Sequence, residues 1–384
     1  MLARCGLAGA LITTALAVPY APAMASTGPV VLYQENFTGG DTPAGDWISK
    51  STGGNSQPCL TAAAAATTGG IPECLAVASG TGKPDAAGSG AFQITDNDKQ
   101  ESGFGLFTRP LDTSKGIEVD FDFFQHDAHT YNGRGGDGIA FFLMNGAASP
   151  ATAGDAGGSL GYRNLPGGLI GIGFDEYGNF SNPQWGGTGG PGLTPNSVVL
   201  RGADSTGYQY IAGVKAPASL AVDSAVQRGT AKRHVTITLS TKNVLSVLVN
   251  FFNGKGPVRV LGPINLNTIK GQPQLPPTIK FGFAAATGAA TNFHEIQGMT
   301  VTGLAPDLQL AVSHSGTFTP GGSGSSFQLA VSDDSGAGPT LGTATVVFHV
   351  PDGLTPQSPS GNGWQCSASG QVVTCTRSDV LQPG

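Results

Sequence analysis

Strict alternation of apolar and acidic side chains in the stretch GIEVDFDFF, residues 116–124, constrains the fold of this chain more than any other feature. Apolar residues alternate there with Glu118, Asp120 and Asp122. Successive side chains of an extended strand point to opposite faces, so the stretch predicts a strand with one buried face. The same period recurs in HVTITLS, NVLSVLVNFF and TIKFGF, and no window keeps a helical period. The sequence therefore predicts an all-β, antiparallel sandwich.

Composition agrees with a turn-rich β protein. The 384 residues include 60 Gly and 26 Pro, while charged residues make up only 11% of the chain. Gly and Pro interrupt helices and favour turns, so long amphipathic helices are not expected. Hydrophobic residues, at 39%, are enough to fill a core, and the net charge of -6 argues against nucleic acid as a partner.

Residues 1–25 have the layout of a secretory signal peptide. Arg4 precedes an apolar stretch, and Ala23 and Ala25 supply the small residues of a cleavage site, which predicts cleavage after Ala25. No later run reaches the roughly 18 apolar residues of a membrane-spanning helix. We therefore expect an exported protein, secreted or at the cell surface and without membrane insertion. The oligomeric state is left open.

Four cysteines remain after the predicted signal peptide, namely Cys59, Cys74, Cys366 and Cys375. An even number in an oxidising compartment favours disulfides, and the three pairings of four cysteines are all formally possible. Pairing Cys59 with Cys74 and Cys366 with Cys375 is preferred because each bond closes a short loop. Zinc is the alternative, but the spacings C-x14-C and C-x8-C differ from those of zinc knuckles.

A domain boundary is predicted near TGLAPDLQL, residues 302–310, where one strand-like run ends and another begins after Pro306. Residues 26–304 are long enough for one large sandwich. Residues 305–384 contain further short strand signals and predict a smaller immunoglobulin-like β-sandwich. This tail resembles a repeated module of bacterial surface proteins, and it ends without a visible closing strand, which predicts a truncated module.

Four ordered segments carry a family resemblance. They are GGDGIAFFLMNG (135–146), GGSLGYRN (157–164), LIGIGFDEYGNF (169–180) and IKFGFAAATGAATNFHEIQGMTV (279–301). Together they resemble the legume-type, or L-type, lectin family, and GIGFDEYGNFSNP with PNSVVLRG is closer to its exported bacterial members than to the plant ones. The resemblance implies a concanavalin-like jelly-roll sandwich whose loops at one end bind a saccharide.

The resemblance also implies roles in sugar binding for four residues. Asp137 stands where the family has an Asp that accepts hydrogen bonds from two ring hydroxyls, after a cis peptide bond; a carboxylate suits this because it only accepts. Gly158, or alternatively Gly157, stands where a backbone N–H donates to the sugar. Asn179 matches the family's side-chain amide donor, and Asn292 is the strongest hydrogen-bonding residue of the variable specificity loop. The competing interpretations are a strand-entry Asp and an ordinary glycine turn.

Calcium is the cofactor that the resemblance implies. Asp175, the backbone carbonyl of Tyr177 and the side chain of Asn179 stand where the family places calcium ligands. Calcium prefers six to eight oxygens, so these three residues supply only part of the shell.

The sequence departs from the plant lectins at other metal ligands. Gly173 replaces an expected acid, and the expected downstream Asp and His are missing from FSNPQWGGTGGPG. We therefore expect no transition-metal site. A calcium site would need Glu176, water or a residue such as Asp204 to complete it.

The function expected from these features is non-enzymatic recognition of a hexose-containing glycan by an exported protein. The first alternative is a structural or adhesive cell-surface protein that keeps the fold without binding sugar. The second is a glycoside hydrolase, because Glu118, Asp120 and Asp122 share one strand face and glycosidases use paired carboxyl groups. That strand lacks the E-x-D-x-x-E spacing of sandwich glycosidases, so the sequence predicts no catalytic residue.

Overall fold

The computed structural model of the chain describes residues 23–24, 29–52, 57–74, 84–340 and 342–384. The predicted signal peptide therefore lies outside the described residues, except for Ala23–Met24. The chain divides into a larger unit of residues 28–307 with 334–339 and 383–384, and a smaller unit of residues 308–333 and 340–382 with the N-terminal strand.

The described residues form strands and short 3-10 helices, and no α-helix is found among them. In chain order the strands are β1 (Ala23–Met24), β2 (Val31–Glu35), β3 (Trp47–Thr52), β4 (Cys59–Leu60), β5 (Phe92–Thr95), β6 (Ser102–Phe107), β7 (Leu111–Asp112), β8 (Ile117–His129), β9 (Gly138–Asn145), β10 (Gly168–Asp175), β11 (Ser197–Arg201), β12 (Tyr210–Lys215), β13 (Lys232–Leu239), β14 (Val244–Asn250), β15 (Pro257–Asn265), β16 (Thr278–Ala286), β17 (Thr291–Gly303), β18 (Leu308–Ser315), β19 (Ser326–Asp333), β20 (Ala344–His349), β21 (Gln365–Ser369) and β22 (Val372–Arg377). The 3-10 helices span Thr113–Lys115, Gly157–Ser159, Asp204–Thr206, Arg228–Ala231 and Leu266–Thr268.

Two eight-stranded antiparallel sheets build the larger unit. Sheet 1 has the order β12-β11-β10-β9-β16-β6-β3, with β7 beside β16. Sheet 2 has the order β15-β14-β13-β8-β17-β5-β4, with β2 beside β17. Half of the neighbouring pairs in each order are consecutive strands and half are distant in sequence, as in a jelly roll. The chain is therefore all-β with a concanavalin-like sandwich and a smaller C-terminal β-sandwich, which confirms the predicted fold class.

The alternating stretch that begins at Ile117 forms the central strand of sheet 2 and fills the core between the sheets. Phe121 and Phe123 point inward, where their rings lie 5.9 Å from Phe141 and 4.8 Å from Phe174 of sheet 1. The acids of the same strand lie on the outer face and are only partly buried. The alternating residues of this strand thus pack as predicted, with the apolar side chains in the core and the acids on the outer face.

The central strands β9 and β10 of sheet 1 are buried on both faces, which explains why they do not alternate in polarity. In β9 the side chains of Phe141 and Leu143 enter the inter-sheet core, while Ala140 and Phe142 belong to a second core on the opposite face. That second core is covered by residues from the loops around β10 and β11, including Tyr162. These covering loops also build the candidate site described below.

The smaller unit combines a two-stranded sheet, β18-β19, with a four-stranded sheet of order β1-β20-β22-β21. Phe348 and Val373 of the larger sheet share a hydrophobic core with Phe327 and Leu329 of the hairpin. Residues 334–339 belong to the larger unit, where Gly338 N–H donates to the carbonyl of Ala305 at 2.9 Å. The larger unit thus ends at 307 and the smaller unit begins at 308.

Both predicted disulfides are confirmed. Cys59–Cys74 has a Cα–Cα distance of 4.9 Å and lies in the larger unit. Cys366–Cys375 joins paired positions of β21 and β22, with a Cα–Cα distance of 4.1 Å.

Candidate functional site

Strand register brings the distant sequence segments together at one end of sheet 1. Gly138, the first residue of β9, pairs with Asp175 at the end of β10 and with Ala286 at the end of β16. Asp137 therefore leaves the sheet between the loop that follows β10 and the loop that precedes β17. Three of the four segments that carry the family resemblance meet at this point.

The backbone of Asp137 is fixed on both sides. Its N–H donates to the carbonyl of Ala286 at 3.0 Å, and its carbonyl accepts the N–H groups of Glu176 at 3.0 Å and Tyr177 at 3.2 Å. The Gly136–Asp137 peptide bond is cis, as the resemblance implies.

The side chain of Asp137 is only 4% exposed and accepts no hydrogen bond from the described residues. A Cβ atom at position 288 would lie 2.7 Å from its Oδ2, and one at position 157 would lie 3.8 Å from it, so the carboxylate faces the bare backbone of Gly157 and Gly288. Loss of solvent raises the pKa of Asp137 to about 7. A nearly buried acceptor that no neighbouring group satisfies would gain from an incoming hydroxyl.

The 3-10 helix Gly157–Ser159 places Gly157 beside this carboxylate and Gly158 directly after it. Gly157 N–H donates to the carbonyl of Thr287 at 3.0 Å, so this N–H is not available to donate to a ligand. Gly158 lies in the first turn, whose N–H groups have no acceptor within a helix. A Cβ atom on Gly158 would lie 2.1 Å from the Cβ of Asn179, which requires glycine at this position. Gly158 thus connects the surroundings of Asp137 to Asn179.

Asp175 organises the loop that carries Asn179. The Asp175 side chain is fully buried, and its Oδ1 and Oδ2 accept the N–H groups of Gly178 and Phe180, both at 2.7 Å. Burial raises the pKa of Asp175 well above its usual range. Asn179 Oδ1 accepts a long hydrogen bond of 3.5 Å from Asn182, which leaves the Asn179 NH2 group as the donor for a ligand.

Asn292 lies near the start of β17. Its side chain is fully buried, and its Nδ2 donates to Glu176. Its Oδ1 faces the backbone at Gly135, where a Cβ atom would lie 2.5 Å away. Burial, followed by the neighbouring Asp223, raises the pKa of Glu176 well above its usual range. In this position Asn292 supports the turn before Asp137.

The residues expected to bind calcium do not form a complete shell. Both oxygens of Asp175 already accept backbone N–H groups, and only the Tyr177 carbonyl and the Asn179 side chain join them in the predicted set. Asp204, considered as a further ligand, instead accepts the N–H groups of Gly167 and Ser205. Since calcium prefers six to eight oxygens, these three residues do not complete a calcium shell by themselves.

A group of acidic residues is present elsewhere. Among the described residues, Asp96, Asp98 and Glu101 have carboxylate oxygens within 4.8 Å of one another. The segment borders the site, because Thr287 Oγ1 donates to the Asp98 carbonyl at 2.6 Å.

Sequence reasoning missed Arg201, the last residue of β11. It is fully buried, and its guanidinium donates to the carbonyls of Phe180, Thr188 and Gly189 in the loop after β10, and to that of Tyr208. Burial lowers the pKa of Arg201 to about 10, so the group stays charged at neutral pH. The available signal was a cation at the end of the otherwise uncharged run SVVLR, which follows residues 180–196, a stretch without acids.

The acids of β8 have structural partners. Glu118 accepts from Thr238 at 3.1 Å and Asp120 from Thr236 at 2.6 Å, both across the ladder to β13. Asp122 contacts His234 at 2.9 Å and forms an ion pair with Lys232 at 2.7 Å. These contacts are typical of cross-strand pairs on an outer sheet face.

Comparisons with known proteins give structural likenesses only. No family model and no curated protein matches the sequence. The Lotus tetragonolobus seed lectin is 16% identical, with a TM-score of 0.45 and coverage of 70% of this chain and 97% of that one. The winged bean acidic lectin complexed with methyl-alpha-D-galactose is 15% identical, with a TM-score of 0.44 and coverage of 70% and 97%. The exoplasmic/lumenal domain of VIP36, in a Ca2+/Man-bound form, is 16% identical, with a TM-score of 0.40 and coverage of 56% and 78%.

Within the part of the chain that the structure describes, no helix has the length and apolar character needed to cross a membrane.

Proposed function

We propose that the larger unit is an L-type lectin domain that binds a hexose-containing glycan at the end of sheet 1. The observation that carries this proposal is the Asp137 carboxylate, buried beside bare glycine backbone and without a hydrogen-bond donor among the described residues. A saccharide hydroxyl supplies the missing donor at the position where the resemblance implies one.

Three groups make the proposed contacts with the sugar. Asp137 accepts from hydroxyl groups, while the N–H of Gly158 and the amide of Asn179 donate to hydroxyl oxygens. Because each hydroxyl both donates and accepts, one sugar ring satisfies this mixture. Asn292 and Glu176 act behind them by holding the turn at Gly135.

The proposal is one of binding without chemical conversion. The only row of acids considered as a hydrolase site, on β8, is occupied in cross-strand contacts. A shallow site of this kind gives weak affinity for a single sugar, and presentation of several copies at a surface raises the overall avidity.

Export to a bacterial surface or medium is part of the proposal. Two disulfides suit an oxidising compartment, and the N-terminal sequence has the pattern of a signal peptide. The smaller unit is proposed to be a surface repeat module that links the lectin domain to a larger assembly.

A glycan array tests the proposal. The wild-type chain should bind a subset of hexose-containing glycans, and Asp137→Asn and Asn179→Ala should lose that binding while keeping the wild-type melting temperature. Asp352→Asn, an exposed Asp in the smaller unit, is the matched control and should bind normally. A wild-type chain that binds no glycan would instead favour a structural or adhesive protein. Release of reducing sugar that depends on Glu118 or Asp120 would identify a hydrolase.

A further inference from the structure

The loop after β10 folds around a single buried cation. Residues 180–196 of this loop contain no Asp, Glu or His, so this part of the loop has no anionic side chain of its own to bind a positive charge. The cation is the guanidinium of Arg201, which reaches the loop from β11 with a fully buried side chain.

Carbonyl groups converge on this guanidinium. Nε donates to the Phe180 carbonyl at 2.8 Å, and Nη1 donates to the carbonyls of Thr188 and Gly189 at 3.0 Å each. The backbone approaches so closely that a Cβ atom on Gly186 would lie 2.6 Å from Nη2. Several carbonyl oxygens surround this buried positive charge, as they would surround a bound cation. Here the charge belongs to a side chain of the protein.

Arg201 and Asp175 act on the same residue. The N–H of Phe180 donates to Asp175 Oδ2 at 2.7 Å, and the carbonyl of Phe180 accepts from Arg201 Nε at 2.8 Å. Phe180 directly follows Asn179, so both ends of the residue beside the proposed sugar contact are fixed.

We propose that Arg201 is the resident cation of this loop, and that its guanidinium, rather than a metal ion, orders the backbone that presents Asn179. This explains why the predicted calcium ligands form an incomplete shell while the loop is still tied at several carbonyls. The ordering of the loop does not depend on sugar binding; only the consequence for affinity rests on the proposed function.

Amide hydrogen–deuterium exchange on the wild-type full chain tests the metal-independence directly. Protection of the N–H groups of Gly178 and Phe180 should be the same after dialysis against EDTA, in buffer, and with added CaCl2. The melting temperature should also be unchanged. Faster exchange of residues 176–190 in EDTA, or slower exchange with CaCl2, would overturn the proposal.

Variants of Arg201 test the role of the guanidinium. Arg201→Ala should speed exchange in residues 176–190, and Arg201→Lys should restore only part of the protection, because an ammonium group lacks the planar set of donors. Free guanidinium ion at a non-denaturing concentration should restore protection in Arg201→Ala, and sodium chloride at equal ionic strength should not. Arg259→Met, at an exposed position on β15, is the matched control and should behave as wild type.

The outcomes separate this inference from the proposed function. Suppose that amide protection of the loop depends on Arg201 and does not change with metal ions, while no glycan binds. The inference then stands and the lectin proposal fails. If Arg201→Ala folds and keeps wild-type protection of Gly178 and Phe180, the inference is wrong. Should Arg201→Ala fail to fold, the comparison of wild-type protein with and without EDTA and calcium decides the question.

Discussion

Gly158 packs so closely on Asn179 that a Cβ atom at position 158 would lie 2.1 Å from the Asn179 Cβ. The contact joins the 3-10 helix beside Asp137 to the loop held by Asp175. Only glycine at position 158 leaves enough space for the Asp137 carboxylate, the Gly158 N–H and the Asn179 amide to lie close together.

Gly158→Ala should displace Asn179 and weaken glycan binding by about fivefold to tenfold, the value of one lost hydrogen bond. The global fold should persist, because the clash involves a loop. Gly229→Ala, where a Cβ atom meets nothing within 4 Å, is the control. Surface plasmon resonance on an immobilised glycan measures both variants. Equal affinity of Gly158→Ala and wild type would show that Asn179 does not contact the sugar.

A buried ion network behind the site should contribute strongly to stability. Glu295 is fully buried and contacts Arg228 at 2.8 Å and His126 at 3.0 Å, while Arg228 also contacts Asp85 at 2.7 Å. Glu295→Gln leaves Arg228 partly unpaired and should cost about 3–5 kcal/mol of unfolding free energy. Arg109→Gln, which breaks an ion pair whose arginine side chain is 56% exposed, should cost less than about 1 kcal/mol. Urea denaturation compares them, and equal losses would contradict the assignment.

Acid should destabilise the larger unit. Burial lowers the pKa of His294 from 6.5 to about 3; burial would raise the pKa of Glu295, but hydrogen bonds from Arg228 and His126 outweigh it and lower that pKa from 4.5 to about 2. Both folded-state values lie below the unfolded ones, so the unfolded chain binds more protons in acid. Stability should therefore fall as the pH drops from 6.5 towards 3 for His294, and from 4.5 towards 2 for Glu295.

The measurement is the unfolding free energy in urea at a series of pH values from 7 to 3. His294→Gln should flatten the dependence between pH 6.5 and 4, because glutamine does not titrate. A wild-type curve that is flat over this range would show that His294 is not buried in its neutral form.

The disulfide of the larger unit should stabilise it through loop closure. Cys59 and Cys74 are separated by 15 residues, for which loop entropy gives about 3 kcal/mol. Cys59→Ala/Cys74→Ala should lose roughly that amount in urea denaturation, and Cys366→Ala/Cys375→Ala should leave the transition of the larger unit unchanged. If the second double variant produced the larger loss in that transition, the assignment of the bonds to separate units would be wrong.

The sequence predicts the fold well because the alternation of apolar and acidic residues along a strand shows directly which side chains are buried. Phe121 and Phe123 alternate with acids and indeed pack between the sheets. The cysteine pairs followed from short loop lengths. The strands of sheet 1 gave a weaker signal, since both faces are covered and a continuous apolar run does not distinguish strand from helix.

The site was less accessible to sequence reasoning because its parts depend on tertiary packing. The resemblance indicated Asp137, Gly158 and Asn179, but no local pattern shows that Asn292 turns inward to Glu176. Nor does any motif show that Arg201 reaches across to the carbonyls of another loop. The first contact joins residues 116 positions apart, and those of Arg201 to Phe180 and Gly189 span 21 and 12 positions between a strand and a loop.

The role of the Asp137 carboxylate in sugar binding is tested most directly by titration calorimetry of Asp137→Asn with a glycan that the wild-type protein binds. Asparagine keeps the size of the side chain but replaces one acceptor oxygen with a donor. Above the Asp137 pKa of about 7, where the carboxyl group is ionised, we expect an affinity loss of about 10- to 100-fold, the value of charge-assisted hydrogen bonds. The melting temperature should not fall, because the carboxylate has no partner among the described residues to lose. An unchanged dissociation constant in a folded Asp137→Asn variant would contradict the central claim that this buried carboxylate binds the sugar.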